Sequence, residues 1–210
     1  MMCIRVKAGM MQSNIKIAVT GGIGSGKSSV CQIIRSAGFP VLSCDEIYAE
    51  LCTDKTFLER LCEEFGNILL ADGSLDRKKL SRTAFNDKST LDRLNNLTHP
   101  AIMEGLFSRA KRHKLCFCEV PLLFEGGYQG CFDGAIVILR AEEERIKSVS
   151  LRDKISAQAA ILRIKNQFNY ENADFTQYYV IHNDCDLTDL RQKTLEIIEK
   201  IKVKFINKKN

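Results

Sequence analysis

Apolar and polar positions along the chain alternate between a strand period and a helix period. Ile15 to Thr20 is a β-branched run that ends at glycines and predicts a strand. Gly26 to Ala37 carries Val30, Ile33 and Ile34 at helical spacing, and Gly38 closes the pattern. Pro40 to Cys44 predicts a second, short strand. A mostly helical region follows from Asp45 to His113, with breaks at Gly66–Asp76 and at His99-Pro100. Leu115–Val120 and Gly134–Leu139 predict the third and fourth strands. Helical patterns then cover Glu142–Leu151 and Ala157–Phe168, Tyr178–Ile181 predicts a fifth strand, and a last helix spans Leu187 to Phe205. Strands separated by helices predict a parallel sheet covered on both faces. The stretch between the second and third strands is longer than a crossover requires, so a helical insertion beside the sheet is expected.

Composition narrows the class. Of 210 residues, 45% are apolar and 27% charged, which excludes a disordered chain. No apolar run approaches the ~20 residues of a membrane span, so no membrane partner is expected. The net charge of +5 suits a polyphosphate ligand, but plain solubility is the commoner reason for so mild an excess. Lys200, Lys202, Lys204, Lys208 and Lys209 read as a solvated helix end, because no aromatic residues interleave them; no nucleic-acid partner is expected. The nine cysteines (3, 31, 44, 52, 62, 116, 118, 131 and 185) contain no C-x-x-C pair and are odd in number. Neither a disulfide framework nor a zinc site follows. Free thiols at this density point to a reducing, cytoplasmic compartment. Met1 to Asn14 lacks the apolar centre of a signal peptide and is expected to be a disordered extension ahead of a single domain over 15–207.

The strongest chemical signal is Gly21-Gly22-Ile23-Gly24-Ser25-Gly26-Lys27-Ser28. It fits G-x-x-x-x-G-K-[ST] and lies between a predicted strand and a predicted helix, the context that motif needs. Such a loop turns backbone N–H groups toward phosphate, with a helix N-terminus behind them. Lys27 would reach the β- and γ-phosphates and the Ser28 hydroxyl would ligate Mg²⁺. The Asn-Lys-x-Asp element of a GTPase is missing; His182-Asn183-Asp184 has no lysine. A hydrophobic strand ending in Asp-Glu, as a mechanical ATPase wants, is also missing. The long insertion suits a kinase that holds a second substrate beside ATP.

Further along, the chain resembles one family, the dephospho-coenzyme A kinases. The resemblance runs through the loop, Val41-Leu42-Ser43-Cys44-Asp45, Asp72-Gly73-Ser74-Leu75-Asp76-Arg77, Leu97-Thr98-His99-Pro100, Val120-Pro121-Leu122-Leu123-Phe124-Glu125, Gln167 and Val180-Ile181-His182-Asn183. It implies an α/β fold of the P-loop NTPase type: three layers around a five-stranded parallel sheet of order 2-3-1-4-5, with a core over 15–45, 114–140 and 171–207. The helical substrate-binding insertion would be 46–113 and the lid 141–170. It implies transfer of phosphate from ATP to the ribose 3′-hydroxyl of dephospho-CoA. Lys27, Arg152 and Asp45 would be catalytic, Asp45 as the base; the rival reading makes Asp45 a helix cap. The loop from Gly21 to Ser28, with Ser29 and Asn183, would bind ATP. Asp45, Arg77, His99, Leu123 and Glu125 would bind the acceptor, while Glu119 would join Ser28 in the Mg²⁺ shell through water. Arg77, His99, Glu119 and Glu125 each have a purely structural rival role. The chain departs from the family's pattern at Ser148, where many relatives have an arginine; at Gln177-Tyr178-Tyr179; and at Ser43. Arg145, about one turn before Ser148, could serve from the same face. The alternatives are a kinase of the nucleoside-monophosphate type and a non-catalytic ATP-dependent regulator.

Overall fold

Every residue of β1 (Ile15–Gly21) except Lys16 is buried. A strand apolar on both faces belongs inside a sheet that is covered on both sides. The computed structural model describes residues 14–84, 86–184 and 186–207. In it β1 is the middle strand of a five-stranded parallel sheet of order β2-β3-β1-β4-β5. β3 (Leu115–Glu119) flanks it with Leu115 opposite Ile15, and β4 (Gly134–Leu139) flanks it with Gly134 opposite Ile17. β5 (Tyr179–His182) pairs with the outer edge of β4, Tyr179 opposite Ile136. β2 (Val41–Ser43) lies outside β3, where the Phe117 N–H donates to the Pro40 carbonyl at 2.9 Å. The order is the one that the resemblance implies.

The chain forms two compact units, one within Met1–Leu42 and Ala110–Asn210, the other Ser43–Arg109. In the first, α1 (Lys27–Ser36) and α8 (Leu187–Phe205) cover one face of the sheet. Val30, Ile33 and Ile34 meet Ile197, Ile198 and Ile201 over Ile17, Val19, Phe117, Ile136 and Ile138. Truncating one such fully buried isoleucine to alanine costs about 2–5 kcal/mol. Val137 points the other way, as alternation along a strand requires. It packs with Tyr170 and Phe175, and Phe124, Phe168 and Tyr178 complete a cluster of aromatic rings.

Beyond β4 come α6 (Glu142–Asp153) and α7 (Ala157–Lys165), the second capped by Ser156, whose hydroxyl accepts from the Ala159 N–H at 3.2 Å. The helical pattern predicts α7 as far as Phe168, yet the helix stops earlier. Its next residues bond elsewhere: the Gln167 side chain accepts from the Ile23 N–H at 2.6 Å, and the Phe168 N–H donates to Glu125 at 3.0 Å.

The second unit contains α2 (Cys44–Leu51), α3 (Lys55–Phe65), α4 (Arg77–Ala84) and nearly all of α5 (Lys88–Ala110). Cys52, Phe57, Leu58, Leu61, Ile68, Leu75 and Leu80 form its core. The break expected at His99-Pro100 does not occur, and α5 runs through Pro100. Leu94, Leu97 and Ala101 pack on the Phe57–Leu61 cluster on both sides of the proline. Burial of that face outweighs the ~3 kcal/mol of local helix cost. The helix predicted to start at Asp45 starts at Cys44, with Ser43 in the N-cap position. Asp45 therefore lies inside the first turn, which overturns its reading as the cap, although a carboxylate there still favours the helix dipole. The proposed extension at 1–13, Cys3, Phe85, Cys185 and Lys208–Asn210 lie outside the described residues. The seven described cysteines are free thiols.

Candidate active site

The loop leaves β1 at Gly21 and enters α1 at Lys27, so the sheet fixes one end and a buried helix the other. Gly26 stands at the N-cap with φ 97°, a conformation that side chains strain to adopt. A Cβ there would lie 2.2 Å from the Asn183 side-chain nitrogen. That nitrogen donates to the Ser25 carbonyl at 2.8 Å. Arg145, only 5% exposed, donates from Nε to the Ile23 carbonyl at 3.0 Å. Its guanidinium fills the space a Cβ on Gly22 would need, with Nη2 2.4 Å from that point. In a planar trans peptide the N–H points away from the C=O. Tying back the Ile23 and Ser25 carbonyls thus turns the Gly24 and Gly26 N–H groups to the opposite side, the polarity of an anion-binding nest. Thr20, buried beneath, shares a 3.3 Å hydrogen bond with Tyr170, whose phenol burial pushes up to about 12.

Lys27 curls over this loop, donating to the Gly21 and Gly22 carbonyls at 2.7 and 3.3 Å. Ser28 is exposed in the first turn of α1 and Ser29 is half-buried. Cys31, on the next turn, is fully buried and hydrogen-bonds Glu119 at the end of β3; burial pushes its thiol up to about 12. Beside the loop lies a cavity of about 290 Å³ whose lining includes Gly22, Ser25, Arg140, Arg145, Tyr170 and His182. Leu123 is fully buried, and Glu125 accepts from the Phe168 N–H, joining the segment after β3 to the one after α7. Arg152, at the end of α6, is exposed and pairs with Asp153, which also accepts from Arg163 at 2.6 Å.

In the second unit Asp45 is exposed on the first turn of α2, and Tyr48 follows on the same face. The Arg77 guanidinium lies 5.9 Å from the centre of the Tyr48 ring, within cation–π range. Arg77 thereby comes to the face of α2 that carries Asp45. His99 is half-buried on α5, and desolvation holds its imidazole below the ordinary value.

A model of the dephospho-CoA kinase family matches residues 15–189. The chain belongs to that family. A Fusobacterium nucleatum dephospho-CoA kinase is 35% identical over 188 residues, which cover 88% of this chain and 97% of its own. The structure of a Campylobacter jejuni dephospho-CoA kinase matches with a TM-score of 0.64 at 31% identity, over 89% of this chain and 96% of that one. A crystal structure from Thermus thermophilus reaches a TM-score of 0.79 at 33% identity, covering 89% of this chain and 97% of that one.

Within this dephospho-CoA kinase fold, Arg145 holds the loop's backbone, and the guanidinium that reaches Ser148 comes from elsewhere. Arg140 donates to the Ser148 hydroxyl at 2.8 Å and approaches the Gly24 carbonyl at 3.4 Å. Reading the sequence missed Arg140, Tyr170 and Tyr48. The one signal available for Arg140 was its place directly after a strand, where open α/β sheets bind ligands. Tyr170 and Tyr48 read as ordinary core aromatics. Among the described residues no cluster of three or more His, Cys, Asp or Glu could hold a metal, and no helix is long and apolar enough to cross a membrane.

Proposed function

We propose that this chain transfers the γ-phosphate of ATP to the ribose 3′-hydroxyl of dephospho-CoA, giving CoA and ADP in the cytoplasm. The observation that carries the reading is the loop itself, its carbonyls tied back by Arg145 and Asn183 in a chain of the dephospho-CoA kinase family. The loop from Gly21 to Ser28, with Ser29 behind it, cradles the phosphates through the N–H groups of Gly24 and of Gly26 to Ser28, and Asn183 acts on ATP through the Ser25 peptide. Lys27 leaves the Gly21 and Gly22 carbonyls to meet the β- and γ-phosphates, and Arg152 approaches from α6 to share the charge of the transferring group. Asp45 takes the proton of the acceptor hydroxyl as its oxygen bonds to γ-phosphorus and the bond to the ADP oxygen breaks. Arg77, His99, Leu123 and Glu125 shape the acceptor's site.

Magnesium fits the residues at the foot of the loop. Ser28 offers a hydroxyl oxygen, and the hydrogen bond from Cys31 places Glu119 beside the next turn of the same helix. A few hard oxygen donors suit Mg²⁺, which keeps several waters and takes its remaining ligands from phosphates. When bound, it neutralises charge on the β- and γ-oxygens. The test is ADP release with Mg-ATP and, in turn, dephospho-CoA, adenosine monophosphate or no acceptor. Release that depends on dephospho-CoA is expected. Equal turnover with adenosine monophosphate would favour the nucleoside-monophosphate reading, and acceptor-independent hydrolysis the regulator.

A further inference from the structure

Arg140 follows β4 directly, and its side chain is held from three directions. Nη1 donates to the Ser148 hydroxyl at 2.8 Å and lies 3.4 Å from the Gly24 carbonyl, while Nη2 lies 3.7 Å from the Glu144 carboxylate. A long, rotamer-rich side chain fixed this way has already lost the freedom that ligand binding would otherwise remove. Its Nε is buried and has no hydrogen-bond partner among the described residues. The same is true of the Ser25 hydroxyl, on a residue 1% exposed. Arg140 and Ser25 both line the cavity beside the loop. A buried polar group without a partner is costly, and two around one cavity point to a ligand that brings hydrogen-bonding atoms. His182 and Asp184 add polar groups, and Ile138, Leu139 and Ala141 an apolar wall.

We infer that Arg140, oriented by Ser148 and Glu144, is a nucleotide-contacting residue that sets ATP affinity in this chain. Arg145 cannot take this role, because it is buried against the Ile23 carbonyl and Gly22. Arg152 sits exposed in its pair with Asp153. The inference rests on the reading of the chain as an ATP-dependent kinase, so its test reads ATP affinity and needs no acceptor.

Calorimetry with Mg-ATP on the full-length chain compares wild type, Arg140→Ala, and Arg140→Ala combined with Ser148→Arg. Loss of a charged donor raises the ATP Kd by about tenfold or more. Adding Ser148→Arg brings a guanidinium back from the residue that Arg140 now touches, and restores Kd to within about threefold of wild type, an effect no merely structural role would produce. A folded Arg140→Ala protein with unchanged affinity would overturn the inference, as would a loss that Ser148→Arg does not mend. Should Arg140→Ala fail to fold, Ser148→Val decides. It frees the arginine from its anchor and is expected to weaken ATP about threefold or more, and unchanged affinity would again overturn the inference. Wild type that does not bind ATP would overturn the kinase reading itself, whereas binding wild type beside unaffected variants overturns only the role of Arg140.

Discussion

Replacing Arg145 with methionine should separate stability from nucleotide affinity. The side chain is 5% exposed, and burial holds its guanidinium below the ordinary arginine range, the mark of a cation paying for desolvation. Methionine keeps most of the length and removes that charge, which tends to stabilise the fold. Against this stands the bond from Nε to the Ile23 carbonyl at 3.0 Å, worth about 1.5–3 kcal/mol as a hydrogen bond to a charged group. In the folded protein these two effects oppose each other, so unfolding by urea should shift by no more than about 1 kcal/mol. Affinity has no such compensation. Once the Ile23 peptide is released, the Gly24 N–H is no longer held toward the nest. If the whole hydrogen-bond energy fixes the loop, the Kd for ATP rises between about tenfold and a hundredfold. Urea titration and calorimetry on one preparation measure both. A variant that loses several kcal/mol of stability yet binds ATP like wild type would refute this account of the loop.

Three further outcomes follow from the same geometry. Gly26→Ala places a side chain at φ 97° and 2.2 Å from the Asn183 nitrogen, so ATP affinity should fall at least about tenfold, with a lower Tm from ~1–3 kcal/mol of strain; calorimetry and a melt check both. Asp45→Asn should cut kcat by about 10²–10⁴ while ATP Kd hardly moves, since Ser43 rather than Asp45 holds the cap position; kcat within about threefold of wild type would remove Asp45 as the base. His99 has a depressed pKa in the folded state, so the unfolded chain binds its proton first as pH falls. Its share of stability is therefore present above the ordinary histidine value near 6.5 and is lost as pH drops from there toward the folded value. His99→Gln should flatten that part of the stability profile, and an unchanged slope in denaturant titrations across this range would count against it.

In the sheet, β1 and β4 were legible because they are rich in β-branched residues and meet a glycine at one end, and the parallel pairing because helices separate the strands. The phosphate loop was legible because glycine spacing, lysine and serine are local requirements of one backbone shape. What could not be read were features decided by distant contacts. Pro100 sits mid-helix because Leu94, Leu97 and Ala101 pack on a cluster far away in sequence. Helix α7 stops short of Phe168, whose backbone N–H donates to Glu125 rather than back along the helix. Arg145 was placed on the correct helix, but its partner, the Ile23 carbonyl, is 122 residues away and leaves no trace in local periodicity. Arg140 escaped notice for the same reason, since its meaning comes from Ser148 and Gly24 together.

The central claim, phosphate transfer to one hydroxyl of one acceptor, is tested most directly by the product. Wild-type protein is incubated with Mg-ATP carrying labelled γ-phosphate and with dephospho-CoA, and the labelled product is separated and the position of its new phosphate determined. The account predicts label in CoA, on the ribose 3′-oxygen, with one ADP formed for each phosphate transferred. Label released only as inorganic phosphate, or carried by another hydroxyl, would contradict it.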